Sequence, residues 1–113
     1  MAQAIERTRA QAEALIAKHI EPHPARPGRA EWRLKERGVP VWAIIGSIVL
    51  SENPGEYPEV LDDDRVTTAL SDADLIARVT NDYGLSREAM EAAIAYYRYN
   101  KRHIDARLLS NAA

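Results

Sequence analysis

Arginine side chains gathered around one tryptophan give this sequence its clearest potential for chemistry. Arg26 and Arg29 flank a Pro-Gly pair, and Arg33 directly follows Trp32. Guanidinium groups suit phosphate recognition, and flexible arginine arms can enter the minor groove of DNA. The cluster is equally suited to bind the acidic stretch 52–74 of the same chain or of a second copy, and the sequence leaves both alternatives open.

A second group of cations lies near the C-terminus, among tyrosine residues. The cluster lies on the last predicted helix and comprises Arg98, Lys101, Arg102, His103 and Arg107. It could track phosphates or neutralise an acidic partner, or some of its members could be the solvated side of the helix. The first interpretation makes Arg98 and Arg102 candidates for DNA binding.

Signals for catalysis and metal binding are weak. His19 and His23 have the spacing of two metal ligands on one helix, but Pro22 and Pro24 interrupt the helix there and no third ligand is evident. No nucleophile motif and no glycine-rich phosphate loop is present. We therefore expect a protein that works by association, without catalytic residues, cofactor or metal.

Charge is distributed unevenly along the 113 residues, although the net charge is only −2. Residues 1–40 hold eight Lys or Arg against five Asp or Glu, residues 41–75 hold one against eight, and residues 76–113 hold six against four. The chain can therefore present a basic and an acidic face. The overall balance argues against tight DNA binding by one copy, so a DNA-binding form should be a homodimer.

The absence of cysteine fits a reducing compartment, because neither a disulfide nor a thiolate metal site can form. No apolar run approaches the length of a membrane span, and the first residues lack the apolar core of a signal peptide. We predict a cytoplasmic protein without membrane contact.

Helical periodicity predicts an amphipathic helix within residues 1–21, followed by a Pro- and Gly-containing linker over 22–30. The apolar stripe of this helix is narrow, which is typical of a seam for one partner helix, and the linker predicts that the helix stands apart. The stripe is therefore a candidate partner-binding or dimer surface. It comprises Ile5, Ala12, Leu15, Ile16 and Ile20, of which the first four are the partner-binding candidates.

Residues 31–110 are expected to form one helix-turn-helix domain. Alternating polar and apolar residues predict a strand over 31–35 that returns over 39–41 as a short hairpin. Residues 41–50 are apolar nearly all round, so periodicity cannot distinguish a buried helix from a buried strand. This apolar segment is a second candidate dimer surface.

An acidic insertion interrupts the domain over residues 51–71, where Pro and Gly predict a loop with a short helical turn over 65–70. Its aspartates, Asp62, Asp63 and Asp64, lack the ligand spacing of a calcium loop. They are instead candidate contacts for a basic protein partner, as mimics of RNA phosphates in the cleft of a nuclease.

Residues 72–109 contain two amphipathic segments separated by a short turn. Gly84 can adopt the left-handed conformation that ends a helix, and Ser86 can cap the next one. A helix-turn-helix reads DNA through exposed residues in the first turns of its second helix. Those residues would be Arg87, Glu88, Glu91 and Ala92. Ser71 is expected to cap the first helix, and the second is expected to bend near Asn100.

Several motifs together resemble a known bacterial family. They are Val39-Pro40-Val41-Trp42-Ala43-Ile44-Ile45, Tyr83, Ala92-Ala93-Ile94-Ala95-Tyr96-Tyr97, Asn100 and Ile104-Asp105. In this order they resemble the domain-of-unknown-function family number 433, over roughly residues 29–109. The resemblance implies a helix over 41–50 and a homeodomain-like fold. Members of that family look like antitoxins of type II toxin–antitoxin modules, often encoded beside PIN-like ribonuclease toxins.

We therefore predict a mainly α, homeodomain-like helix-turn-helix fold with a short N-terminal β-hairpin and an extra N-terminal helix. The expected function is that of an antitoxin-like transcription regulator that binds a toxin and its own promoter DNA. The alternative is a protein-interaction or oligomer-forming module without a DNA role. The DNA-binding candidates are Arg26, Arg29, Arg33, Arg87, Arg98 and Arg102, and the partner-binding candidates are Ile5, Ala12, Leu15, Ile16, Asp62, Asp63 and Asp64.

Overall fold

Helices make up most of the chain that the structure, a computed structural model, describes; the described residues are 8–50 and 63–111. The helices are α1 (Arg9–His19), α2 (Val41–Val49), α3 (Asp63–Leu70), α4 (Ala73–Asp82), α5 (Arg87–Tyr99) and α6 (Lys101–Asn111). Two short strands, β1 (Ile20–Glu21) and β2 (Arg33–Leu34), pair antiparallel, and a 3₁₀ turn spans Arg29–Glu31. The predicted mainly α fold with a short N-terminal hairpin is confirmed.

Helices α2 and α5 form the centre of the packing. Residues 41–50 contain the helix that the family resemblance implies, and its apolar side chains are buried within this chain. A Cβ added at Gly46 would lie 2.9 Å from Leu108 Cδ2, so the glycine permits close approach of α2 and α6. The fully buried residues of the two central helices include Val41, Ile44, Ile45 and Ile48 of α2 and Ala89, Ala92 and Ala93 of α5. The expectation that 41–50 is a dimer surface is therefore wrong for this conformation.

Helix α1 does not stand apart from the rest of the chain, contrary to the expectation from the linker. It begins after a capping box, in which Thr8 Oγ1 accepts a hydrogen bond from Gln11 N at 3.1 Å. Ala12 and Leu15 are buried, because α1 packs against α5 of the same chain. The apolar stripe thus has its partner helix already, and these two residues are not available to a second chain in this conformation. Ile5 lies outside the described residues.

The hairpin uses a different first strand from the predicted one. Strand β2 pairs with β1 through Ile20 opposite Leu34, whereas the predicted return segment makes a single bridge between Arg33 and Pro40. Two hydrogen bonds flank this bridge, from Leu34 N to Val39 O at 2.8 Å and from Val41 N to Trp32 O at 3.1 Å, and the pairing ends there because α2 begins at Val41. Residue 21 precedes a proline, which disfavours helix and leaves an extended segment free to pair.

The helical turn predicted over 65–70 is part of a longer helix, which replaces the predicted loop in the second half of the acidic insertion. Helix α3 contacts α2 through buried Val66, and Arg65 Nε donates to the carbonyl of Val49 at 3.1 Å. Asp63 and Asp64 lie in the first turn of α3, where the positive end of the helix dipole favours carboxylates. Asp62 lies outside the described residues.

The corner between α4 and α5 follows the predicted local signals. Gly84 has a φ of 65°, its N–H donates to Asn81 O, and the N–H of Leu85 donates to Thr80 O, which is the Schellman pattern. Ser86 Oγ accepts from Ala89 N at 3.1 Å and caps α5. The predicted cap of α4 is wrong by one residue: Asp72, not Ser71, accepts the hydrogen bond from Leu75 N. Aspartate is also a strong N-cap residue, and its carboxylate suits the positive end of α4.

Replacement of the turn glycine should destabilise the protein. Gly84→Ala places a Cβ in left-handed backbone and about 3.0 Å from the guanidinium of Arg37, so the free energy of unfolding should fall by roughly 1–2 kcal/mol in urea denaturation. In an Arg37→Ala background the contact disappears and the backbone cost remains. An unchanged free energy of unfolding in Gly84→Ala would contradict the left-handed turn.

Candidate functional site

A cleft of about 800 Å³ lies between α1 and the junction of α5 with α6. One wall comes from α1 and the residue that follows it, another from the 3₁₀ turn and Trp32, and a third from the α5–α6 bend. Its lining residues are Arg9, Glu13, Ile16, Ala17, Ile20, Arg29, Trp32, Tyr96, Arg98, Tyr99, Asn100, Lys101, Arg102 and His103. The cleft therefore combines both basic regions of the sequence.

The bend at Asn100 explains why residues from α5 and α6 line one cleft. Asn100 has φ −132° and ψ 33°, which ends α5, and α6 begins at the next residue. The Asn100 side chain is buried and its Nδ2 donates to Tyr96 O at 3.0 Å, so the bend is fixed by a hydrogen bond. Arg98 and Arg102 come from the two sides of this bend, and the bend itself was predicted.

The electrostatic character of the cleft is strongly basic. Five Lys or Arg side chains line it against one glutamate, in a chain whose net charge is −2. Lys101 pairs with Asp105 and Asp63 outside the cleft lining, and the hydrogen bond to Asp105 is the main cause that raises the pKa of Lys101. Among the described residues, no carboxylate lies within ion-pair distance of Arg98 or Arg102. These two guanidinium groups are therefore available for an anion.

Aromatic rings form part of two walls. Trp32 stacks on Tyr96 with ring centroids 5.6 Å apart, and Tyr96 donates its hydroxyl proton to Arg29 O at 2.7 Å. Burial raises the pKa of Tyr96 from 10 to about 12, so the hydroxyl stays protonated and keeps donating at alkaline pH values at which an exposed tyrosine ionises. Tyr99 is 46% exposed, and the guanidinium carbon of Arg9 lies 5.3 Å from its ring centroid.

The six predicted DNA-binding arginines do not form one surface. Three of them, Arg29, Arg98 and Arg102, line the cleft. Arg33 forms an ion pair with Glu21 at 2.9 Å, and Arg26 lies outside the cleft lining, 3.8 Å from Glu31. Arg87 is exposed at the start of α5 and lies 3.4 Å from Glu91.

The expected recognition surface of the second helix is only partly covered, because Arg87 and Glu88 are exposed and Glu91 is half-buried. Helix α1 runs antiparallel to α5, with Arg9 over Tyr99 at one end and His19 against Glu88 at the other. Ala92, which was expected to be exposed, is fully buried because it faces the helix packing. Glu88 accepts hydrogen bonds from Lys18 at 2.8 Å and from His19 at 3.0 Å, and these lower its pKa to about 2.

The predicted partner-binding residues are also separated. Ile16 lines the cleft rather than a seam for a second chain, and Asp63 is exposed but pairs with Lys101 at 3.0 Å. Asp64 is exposed on the first turn of α3. The site prediction missed Arg9 and Tyr99. The position of Tyr99 beside Arg98 was a usable signal, whereas nothing in the sequence places Arg9 against α5.

Metal-ligand geometry is absent from the residues that the structure describes: no three His, Asp or Glu side chains converge. His19 faces Glu88, and His23 Nδ1 accepts hydrogen bonds from the N–H groups of Ala25 and Arg26. Within the same residues, no helix combines the length and the apolar character that a membrane span requires.

No family model matches the chain, and neither the curated proteins nor the solved structures contain a match to it. The resemblance to family number 433 therefore stays a prediction from sequence motifs, and function has to be argued from the cleft and the helix packing.

The ion pairs that join α1 to α5 give a measurable titration. Glu88 should titrate at about 2 instead of 4.5, because Lys18 and His19 donate hydrogen bonds to the carboxylate. This contribution to stability is present above pH 4.5 and is lost as the pH falls towards 2. Lys18→Met should raise the pKa of Glu88, whereas Lys18→Arg, which retains a charged donor, should not. Carboxyl ¹³C NMR measures the pKa of Glu88. A pKa near 4.5 in the unaltered protein would rule out the hydrogen bonds from Lys18 and His19.

Proposed function

We propose that this chain is an antitoxin-like nucleic-acid-binding protein that holds nucleic-acid phosphates in the basic cleft, binds its own promoter DNA, and binds a toxin through a separate surface. The observation that carries the proposal is the convergence of Arg9, Arg29, Arg98 and Arg102 on one cleft of an otherwise acidic chain. A concentration of guanidinium groups against the net charge is the electrostatic footprint of a polyanion site.

Phosphate is the anion that this arrangement suits best. Arginine presents a planar fork of donors that matches phosphate oxygens, and Arg98 and Arg102 have no described carboxylate to release first. On the opposite wall, the Tyr96 hydroxyl donates a hydrogen bond to the carbonyl of Arg29 and thereby fixes the main chain at that residue. Because binding to phosphates releases counterions, affinity should fall steeply with salt.

Contact with DNA at the cleft is more consistent with the helix packing than contact along the middle of α5. Helix α1 covers the face of α5 that carries Ala92, and Glu88 is held by Lys18 and His19. Only Arg87, at the first turn of α5, remains as an exposed cation on the expected recognition surface. Since one copy offers few phosphate contacts, we propose that the DNA-binding form is a homodimer.

The toxin-binding part of the proposal is supported by the resemblance to family number 433 and by the acidic start of α3. Asp63 and Asp64 are exposed on the first turn of that helix, so a basic surface of a nuclease could reach them. The predicted location is the cytoplasm, where promoter and toxin are both accessible.

A protein-interaction module without a DNA role is the second candidate. One observation favours it: the helix that would enter a major groove is packed on two sides by α1 and α2 of its own chain. In that case the basic cleft would bind acidic side chains of a protein instead of phosphates.

A charge-removal series tests the DNA proposal. The double variant Arg98→Gln, Arg102→Gln should bind a labelled fragment of its own upstream DNA roughly tenfold more weakly for each arginine removed. The slope of log affinity against log salt should fall by about one for each phosphate contact. Fluorescence anisotropy at several salt concentrations measures both quantities.

Two variants control this series. Arg78→Gln removes an exposed cation of α4 outside the cleft and should leave binding unchanged. Arg87→Gln removes the exposed cation at the first turn of α5. A larger loss for Arg87→Gln than for the cleft variant would move the contact to α5, and absence of binding at low salt would favour the protein-interaction module.

Co-expression tests the antitoxin part. A neighbouring gene should encode a small nuclease, and its product should co-purify with this chain and lose ribonuclease activity in the complex. Asp63→Asn with Asp64→Asn should weaken the complex if α3 is the contact, whereas Asp82→Asn on α4 is the matched control. A nuclease that remains fully active in the presence of this chain would contradict the antitoxin role.

A further inference from the structure

We propose that the basic cleft takes an unpaired strand of nucleic acid, with a base stacked on an aromatic ring of the cleft and the neighbouring phosphates on Arg98 and Arg102. This inference rests on the proposed function and deepens it, because phosphate binding alone does not distinguish a single strand from a duplex. The inference is based on two pairs of arginine and aromatic side chains, which lie on opposite walls of the cleft.

The two pairs have the same construction. The guanidinium carbon of Arg9 lies 5.3 Å from the ring centroid of Tyr99, and that of Arg29 lies 6.0 Å from the ring centroid of Trp32. All four side chains line the cleft. A base can stack on a guanidinium plane or replace it on the ring, and this combination of a basic groove with aromatic faces is how proteins bind single strands.

Exposure of Tyr99 is the second observation. Among the large hydrophobic side chains that the structure describes, Tyr99 alone is exposed, at 46%. A ring of this size in water loses the free energy that burial would provide, and base stacking would recover part of it. The neighbouring Tyr96 and Tyr97 are buried, although Tyr96 also lines the cleft, so Tyr99 is the tyrosine of this segment whose ring is open to solvent.

The size of the cleft favours a few nucleotides over a double helix. Its volume of about 800 Å³ falls within the range of sites that enclose small ligands. Bases in a duplex are stacked on each other and turned inward, so they cannot reach rings on the walls of a concave site. A duplex such as promoter DNA could place its phosphates on Arg98 and Arg102 at the rim, whereas an unpaired strand can make the same contacts and also place one base inside the cleft.

The stacking wall is also preorganised. Trp32 is held by its stack on Tyr96, and the Tyr96 hydroxyl holds the backbone of Arg29. Asn100 fixes the bend that brings Tyr99 and Arg102 to the same cleft. A rigid site pays less conformational entropy when it binds, so the contacts contribute more fully to affinity.

The experiment compares one protein with four ligands at the same salt concentration. Labelled oligothymidylate is the probe, and the competitors are unlabelled oligothymidylate, its duplex with oligoadenylate, inorganic polyphosphate and polyglutamate. We expect unlabelled single strand to displace the probe at concentrations at least tenfold lower than the other three, because only it offers accessible bases. In a Trp42→Phe variant, which leaves Trp32 as the single tryptophan of the sequence, the fluorescence should also be quenched by oligothymidylate and not by polyphosphate.

Substitutions at the exposed ring provide the control. Tyr99→Leu should weaken binding of oligothymidylate at least fivefold, and Tyr99→Phe, which keeps the aromatic face, should bind as the unaltered protein does. Because the ring is exposed, neither change should alter the fold, which the far-ultraviolet circular dichroism spectrum checks.

The possible failures are distinguishable. One outcome is that single strand and duplex compete equally, in binding that depends on Arg98 and Arg102 but not on Tyr99. That result would overturn the stacking inference and leave the proposed function standing. If polyglutamate displaced the probe as effectively as the single strand does, the cleft would be a site for an acidic protein, and the stacking inference would be overturned. Failure to bind any nucleic acid would overturn both proposals.

Discussion

Packing of α5 between α1 and α2 is the constraint on which the rest of the structure depends. Alanine residues on α5 allow both neighbours to approach closely, and α1 lies antiparallel along one side. This arrangement has two consequences for function. It covers the middle of the second helix of the helix-turn-helix, and it places Arg9, at the start of α1, beside Tyr99, at the end of α5. The same contact therefore removes one candidate surface and builds another.

Ion pairing determines where the positive charge remains. Most acidic side chains near the basic regions are already paired, as in Glu21 with Arg33, Glu31 with Arg107, and Glu88 with Lys18. Arg98 and Arg102, on the two sides of the α5–α6 bend, lie beyond the reach of these carboxylates. Surface ion pairs contribute little to stability, but they leave an uneven distribution of unpaired charge. Within the cleft, Glu13 pairs with Arg9, and Asp63 and Asp105 pair with Lys101 from outside its lining. The cleft stays basic because no described carboxylate pairs with Arg98 or Arg102.

Local signals predicted the local structure well. The left-handed turn at Gly84, the cap at Ser86 and the bend at Asn100 each depend on residues within one helical turn, so the sequence predicts them directly. Long-range choices could not be predicted in the same way. An amphipathic stripe indicates that α1 needs a partner, but it does not indicate that the partner is α5 of the same chain. Arg29, Arg98 and Arg102 were each predicted separately as candidates. Their position in one cleft with Arg9 depends on the antiparallel packing of α1 against α5, which the sequence does not predict.

The partly covered helix α5 also bears on where the proposed DNA contact could form. For α5 to lie deep in a major groove, α1 would have to leave it, which would expose Ala12 and Leu15 and break both hydrogen bonds to Glu88. Burial of a leucine alone contributes about 1.5–3 kcal/mol, so the open form would be a minor population unless DNA bound it far more tightly than the closed form. Contact at the cleft requires no such rearrangement, because Arg98, Tyr99 and Arg102 are accessible while the core stays packed. A binding mode that preserves α1 on α5 is therefore favoured over one that must first undo it.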